Sequence, residues 1–74
     1  MQCVIVFTWD EEAAVWIATS KDVPGLVLES GSFDALLERV KQAVPELASL
    51  NGQSSPDYRL SYRIEREDRV LAYG

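Results

Sequence analysis

The sequence predicts an α+β domain of order β-β-β-α-β, in which an antiparallel sheet carries one helix packed on one face. Three observations predict this class. Two runs rich in β-branched and aromatic residues open the chain. A later segment has the apolar spacing of an amphipathic helix, and a segment after it alternates polar and apolar residues. With 74 residues, we expect a single domain over 1–74.

The first half of the chain predicts three strands. Residues 2–9 and 14–20 have strand composition, and the short connection "DEEA" (10–13) favours an antiparallel hairpin between them. The following "KDVPG" predicts a turn, because proline fixes its own φ and glycine tolerates a positive φ. The residues "LVLES" (26–30) then form a short third strand.

A helix is the clearest prediction. Its apolar positions have helical spacing, and they are Phe33, Leu36, Leu37, Val40, Val44 and Leu47. Ser32 is placed as the N-cap, and Asp34 lies in the first turn, where the helix dipole favours an acid. "NG" (51–52) is a stop signal. Pro45 removes one backbone hydrogen bond, so we expect it to kink the helix or to start a new turn.

The remainder is predicted as a loop over 53–57 and a strand or hairpin over 58–74. Apolar and polar residues alternate from Tyr58 to Glu65, which predicts a strand with one buried face. The last residues, "REDRVLAYG", fit either a hairpin turn with a short strand or a frayed tail.

The first two strands are apolar on both faces, although one helix covers only one face of a sheet. With 10–13 as the loop, the helix-covered face gathers Ile5, Phe7, Trp9, Ala14, Trp16 and Ala18. The other face gathers Val4, Val6, Thr8, Val15, Ile17 and Thr19. An exposed apolar patch of this kind marks an interface, unless the C-terminal segment folds back over it.

Charge narrows the class of partner. The net charge is -5 with a pI near 4.5, and residues 1–37 hold six acids against Lys21 alone. This balance disfavours nucleic acid as the main partner and suits a basic protein, although a merely solvated acidic surface is the alternative. Arginines and tyrosines between 58 and 69 suggest single-strand binding, but alternation turns Tyr58 and Tyr62 away from Arg59 and Arg63.

The sequence contains few residues that could act in catalysis. There is no histidine, which removes histidine-based triads and metal sites. Cys3 has no histidine partner and is expected as a small buried strand residue. We therefore predict no catalytic, metal-binding or cofactor-binding residue and no enzyme. No secretion signal or membrane helix is visible, which predicts a cytoplasmic protein.

The stretches "WIATSKDVPGLVLES" and "SFDALLERVKQAVPELASLNG" resemble the small HicB-like proteins, in particular the DUF1902 subfamily. The resemblance covers residues 3–52. Its most specific part combines an aromatic-x-Ala strand, a D-x-P-G turn and a Ser-capped helix, here Trp16 and Ala18, Asp22, Pro24 and Gly25, and Ser32. It implies a partial, degenerate ribonuclease H-like fold without catalysis. It also implies an antitoxin that binds and neutralises a small RNA-cleaving toxin of the HicA type.

The sequence departs from HicB-type proteins in two places. Only 22 residues (53–74) follow the helix, too few for the helix-turn-helix module that many of them carry, and Ser30 stands where many have glycine.

The predicted interface is the apolar face of Val4, Val6, Val15 and Ile17, with Asp22 and Glu29 as an acidic edge toward a basic toxin. We expect a homodimer or higher oligomer through this face. The alternative is an orphan self-associating domain with no toxin partner.

Overall fold

The computed structural model describes residues 1–73 and contains four strands and one helix. The predicted α+β class and the order β-β-β-α-β are confirmed. The elements are β1 (Gln2–Asp10), β2 (Val15–Thr19), β3 (Val27–Ser30), α1 (Phe33–Leu50) and β4 (Arg59–Glu65).

The strands form one sheet in the order β3-β2-β1-β4. Neighbouring strands β1 and β2 are antiparallel, as are β2 and β3, but β4 pairs parallel to β1. The sheet is therefore mixed, where the sequence predicted an antiparallel one. The helix explains the difference. Its 18 residues span about 27 Å, enough to return the chain to the end of the sheet where β3 begins. Strand β4 then runs in the same direction as β3 and β1.

The hairpin turn between β1 and β2 lies one residue later than predicted, over residues 11–14. Ala14 has a φ of 54° and is exposed in this turn, so its predicted place on the helix-covered face is wrong. Trp9 consequently lies opposite Trp16, and Phe7 opposite Ala18. The other face assignments are unaffected, because side chains alternate with a period of two and the register has moved by two residues.

The core lies between the sheet and α1. Strand residues Ile5, Phe7 and Ala18 are completely buried on the helix side. The helix contributes Leu36, Val40, Val44 and Ala48, of which Ala48 was not in the predicted set. The rings of Phe7 and Phe33 pack with their centroids 4.8 Å apart, so the first helical turn is tied to the centre of the sheet.

Both ends of α1 are capped as the sequence predicts. The Ser32 hydroxyl accepts a hydrogen bond from the Ala35 amide at 3.2 Å. The Asn51 amide donates to the Leu47 carbonyl at 2.9 Å, and the Asn51 side chain donates to the Pro24 carbonyl at 2.9 Å. The end of the helix is thereby fixed to the Pro24-Gly25 turn, where Gly25 has a φ of 87°.

Pro45 lies inside the helix, which continues through it as one element. The expected start of a new turn at this residue does not occur. Proline costs the helix one amide donor and crowds the carbonyl four residues earlier. The buried side chains on both sides of it, Val44 and Ala48, keep the helix against the sheet regardless.

Strand β4 and the residues after it are more exposed than predicted. Leu60 packs on the core, but Tyr62 is 40% and Ile64 58% exposed. Among the described residues after Glu65 there is no further strand, so the alternative of a terminal hairpin is wrong. Val70 and Tyr73 are 88% and 93% exposed, so this segment does not fold back over the sheet. Gly74 lies outside the described residues.

Candidate functional site

The candidate site is the side of the sheet that faces away from α1, here called the open face. Strand pairing places Val6 beside Thr19 and Thr8 beside Ile17 on this face. Val4 is 40% exposed, Val27 is 69% exposed, and Val6, Val15 and Ile17 are partly exposed. No described element covers these residues. The structure thus brings the four predicted apolar residues onto one accessible surface and adds Val27, which alternation along β3 places there.

Asp22 has a structural role that the sequence did not predict. Its carboxylate accepts a hydrogen bond from the Val4 amide at 2.7 Å, and the Ser20 hydroxyl donates to the Val4 carbonyl at 2.7 Å. The Asp22 amide in turn donates to the Ser20 hydroxyl at 3.1 Å. Because β2 ends at Thr19, these two side chains replace the backbone partners that β2 does not supply at this part of β1.

A shallow pocket of about 260 Å³ lies on the open face next to the Asp22 side chain. It is lined by Val4, Val6, Lys21, Asp22 and Arg63. Two valines thus lie between an acid and two basic side chains. This combination suits an apolar side chain of a partner with polar groups of either sign around it.

The two predicted acidic residues do not lie together. Glu29 lies on β3 beside Ile17, whereas Asp22 is bound to Val4 on β1. Two strand spacings and four residues along the strands separate Glu29 from Val4, the residue that Asp22 binds, which corresponds to about 16 Å. Arg63, on β4, lies beside Val6 on β1. The open face therefore has mixed charge, with Glu29 toward β3 and arginines on β4, instead of one acidic edge.

An aromatic cluster lies on the helix side of the sheet, where the sequence placed Trp9 and Trp16, but the arginine that stacks on it was not predicted. The rings of Trp9 and Trp16 meet edge to face with centroids 5.3 Å apart, and Trp16 meets Phe33 at the same distance. The guanidinium of Arg66 lies 4.4 Å from the centroid of the Trp9 ring. The alternation from Tyr58 to Ile64, continued by one step, would have placed Arg66 on this side. This stacked arginine fixes the point where the chain leaves β4.

Cys3 is buried on the helix side of β1, as expected for a small strand residue. Burial is the main cause that raises the pKa of its thiol, and the nearby Asp22 carboxylate raises it further against a smaller opposite effect of the N-terminal amine. A raised pKa keeps the thiol protonated near neutral pH, and the thiol is a weaker nucleophile than the thiolate.

Within residues 1–73, no helix combines the length and the apolar character that a membrane crossing requires. The same residues contain no group of three or more histidine, cysteine, aspartate or glutamate side chains arranged to hold a metal ion.

Comparison with known proteins bears on the family. A family model described as a domain of unknown function, DUF1902, matches residues 2–73. The chain belongs to the DUF1902 family. The match extends past residue 52, beyond which the resemblance seen in the sequence is less distinct, and includes β4 and the segment after it.

A solved structure supports the same family fold. It is the crystal structure of a hypothetical protein from the extremely thermophilic bacterium Thermus thermophilus. That protein is 34% identical to this chain, with a TM-score of 0.81, and the match covers 95% of this DUF1902 chain and 100% of the other. Comparison with curated proteins gave no match.

Proposed function

We propose that this DUF1902 protein is a non-catalytic binding module whose open face binds another protein, in the manner of an antitoxin that neutralises a small RNA-cleaving toxin of the HicA type. One observation carries the proposal. A contiguous set of aliphatic side chains (Val4, Val6, Val15, Ile17 and Val27) is uncovered on the sheet face opposite the helix. Exposed apolar surfaces on a small domain are characteristic of protein interfaces.

The chemistry of the face favours a protein over a nucleic acid. Nucleic-acid binding depends on clustered lysine and arginine, whereas the net charge is -5 and the open face also carries Glu29 and Asp22. The likeness to HicB-like proteins supports a basic toxin as the partner. The alternative, an orphan domain that self-associates through this face, rests on the same aliphatic residues.

The test is a native pull-down of the tagged chain from its source cells, followed by RNA-cleavage assays with the recovered partner. Val4→Lys places a charge among the aliphatic side chains of the open face, and Gln42→Lys adds the same charge on the exposed outer side of α1. We expect the native chain and Gln42→Lys to recover a small basic protein in stoichiometric amounts and to inhibit its RNA cleavage. We expect Val4→Lys to do neither.

Two results would contradict the proposal. If only untagged copies of the chain are recovered, the antitoxin proposal fails, and loss of those copies with Val4→Lys would favour the alternative that self-associates through the open face. If Val4→Lys inhibits RNA cleavage as well as the native chain, a partner exists but the open face is not where it binds. Circular dichroism of both variants checks that each retains the native fold.

A further inference from the structure

The chain leaves the body of the domain after β4 as an extended segment, residues 66–73, here called the arm. The described residues measure 56 × 20 × 18 Å. Residues 59–73 in extended conformation span about 50 Å, which accounts for nearly all of the longest dimension. A folded-back arm would give a much shorter molecule. The arm therefore continues straight on from β4 and projects beyond the sheet.

The arm is apolar where it is most exposed. Val70, Leu71 and Tyr73 are 88%, 58% and 93% exposed. Strand β4 is itself an edge of the sheet, because it pairs only with β1 among the described strands. A long edge strand that ends in exposed apolar residues is a template for pairing with another chain. It needs a partner strand that covers both its backbone and these side chains.

The charges that precede the apolar residues identify that partner. The sequence from Glu65 to Arg69 is E-R-E-D-R. Aligned antiparallel with a second copy of itself about Glu67, it places Glu65 opposite Arg69 and Arg66 opposite Asp68, each pair occurring twice. Opposite charges facing each other across antiparallel strands are favourable. Only Glu67 meets its own copy.

The apolar residues fit the same alignment. Position i lies opposite position 134 − i, so Val70 faces Ile64 of the second copy and Ala72 faces Tyr62 of the second copy. Ile64 and Tyr62 are the residues of β4 that the helix leaves 58% and 40% exposed. In an antiparallel pairing, residues that face each other lie on the same side of the sheet. A two-fold axis between two identical strands therefore requires that the residue numbers of each facing pair add up to an even number. This alignment meets that requirement.

Alignments shifted by one residue pair meet the two-fold requirement with worse charges. Centred on Arg66, the pairing sets Arg66 against Arg66, Glu65 against Glu67 and Arg63 against Arg69. Centred on Asp68, it pairs Glu67 with Arg69 but leaves Arg66 against Val70 and Glu65 against Leu71. Of the three, only the pairing about Glu67 sets opposite charges at both positions on each side of the axis. It also gives Val70 and Ala72 apolar partners, while Leu71 lies opposite Arg63 and Tyr73 opposite Ser61.

We infer that the arm and β4 pair antiparallel with the same segment of a second copy of this chain, about a two-fold axis at Glu67, and so join two sheets into one. This interface lies at the β4 edge and does not depend on the open face binding a toxin. The proposed function and this dimer are therefore tested by different variants.

Cysteine cross-linking tests the axis directly. In the pairing, the two Glu67 Cα atoms are about 4.5–5.5 Å apart, within the range that a disulfide bridges. The two Arg69 Cα atoms are four residues apart along the ribbon, about 13 Å, and cannot be bridged. We expect Glu67→Cys to form a covalent dimer under mild oxidation and the matched control Arg69→Cys to remain uncrosslinked. Cys3 is present in both and is buried. Equal cross-linking of the two variants, or none in either, would overturn the inference.

Charge exchange tests the register without adding a thiol. Glu65→Arg and Arg69→Glu each set like charges opposite each other at two places, and the double variant restores opposite charges. By sedimentation equilibrium, we expect each single variant to dimerise about tenfold more weakly than the native chain, since each exposed pair contributes up to roughly 1 kcal/mol. We expect the double variant to recover most of the affinity. A double variant that dimerises no better than the weaker single variant would contradict this register, and a native chain that stays monomeric would contradict the dimer.

Discussion

At the scale of single residues, Asp22 shows how a surface acid can belong to the fold. Its carboxylate accepts the Val4 amide at 2.7 Å, at a part of β1 that β2 does not reach. The D-x-P-G motif therefore does more than turn the chain. It supplies a side-chain partner for the first part of β1 and holds the backbone of Val4, whose side chain lies on the open face.

We predict that Asp22→Ala lowers the free energy of unfolding by about 1–2 kcal/mol, because a backbone amide loses a charged acceptor. Glu29→Ala is the matched control. Glu29 has the same charge and is exposed on β3, and its carboxylate makes no hydrogen bond in the described structure. We expect its effect within about 0.5 kcal/mol, as for most surface substitutions. Urea unfolding measures both, and equal values would refute the structural role of Asp22.

The same residue limits what a binding assay can say. A charge reversal at Asp22 would disturb the backbone of β1 at Val4 as well as any partner contact. Substitutions at Glu29 and Val4→Lys change only side chains on the open face, so they test partner binding more directly. The sequence could not reveal this, because the contact joins residues 18 positions apart and depends on β2 ending at Thr19, one residue earlier than predicted.

At the scale of elements, the sequence predicted what local patterns determine. The helix and its caps follow from apolar spacing and from Ser32, Asn51 and Gly52, and the two faces of the hairpin follow from alternation. The direction of β4 and the hairpin register were not predictable in this way. The parallel pairing of β4 depends on its lying beside β1, which runs in the same direction, and the register depends on turn geometry, here Ala14 with a φ of 54°.

Pro45 is an element-scale feature whose cost can be measured. It lies in the helix interior and is exposed, so replacing its ring removes no buried contact. We predict that Pro45→Ala raises the free energy of unfolding by roughly 1–3 kcal/mol, because alanine restores the amide that can donate to the Lys41 carbonyl. The neighbouring exposed residue provides the control, with Glu46→Ala expected within about 0.5 kcal/mol. A Pro45→Ala variant no more stable than the native chain would show that the helix is already adapted to proline.

At the scale of the whole molecule, the apolar residues of the open face were predicted from the sequence, whereas the projecting arm was not. Alternation in β1 and β2 was enough to place Val4, Val6, Val15 and Ile17 on one face. The arm could be recognised only from the longest dimension of the structure. By composition, "REDRVLAYG" fits a hairpin and an extended segment equally well. The self-complementary charges of residues 65–69 acquire meaning only once the arm is known to project from the body.

Limited proteolysis separates the arm-paired dimer from an open-face dimer in the native chain. Trypsin cleaves after Arg66 and Arg69 in the arm and after the exposed Lys21 in the body. If the arms pair, cleavage at Arg69 should slow as the protein concentration rises, because pairing withdraws the backbone from the protease. Cleavage at Lys21 should keep its rate and serve as an internal reference. A dimer through the open face would leave the arms projecting, so cleavage at Arg69 would not change with protein concentration. Cleavage at Lys21 would then either keep its rate or become slower. Mass spectrometry of the released peptides at several concentrations gives both rates from one sample, so the ratio of the two identifies which surface joins the copies.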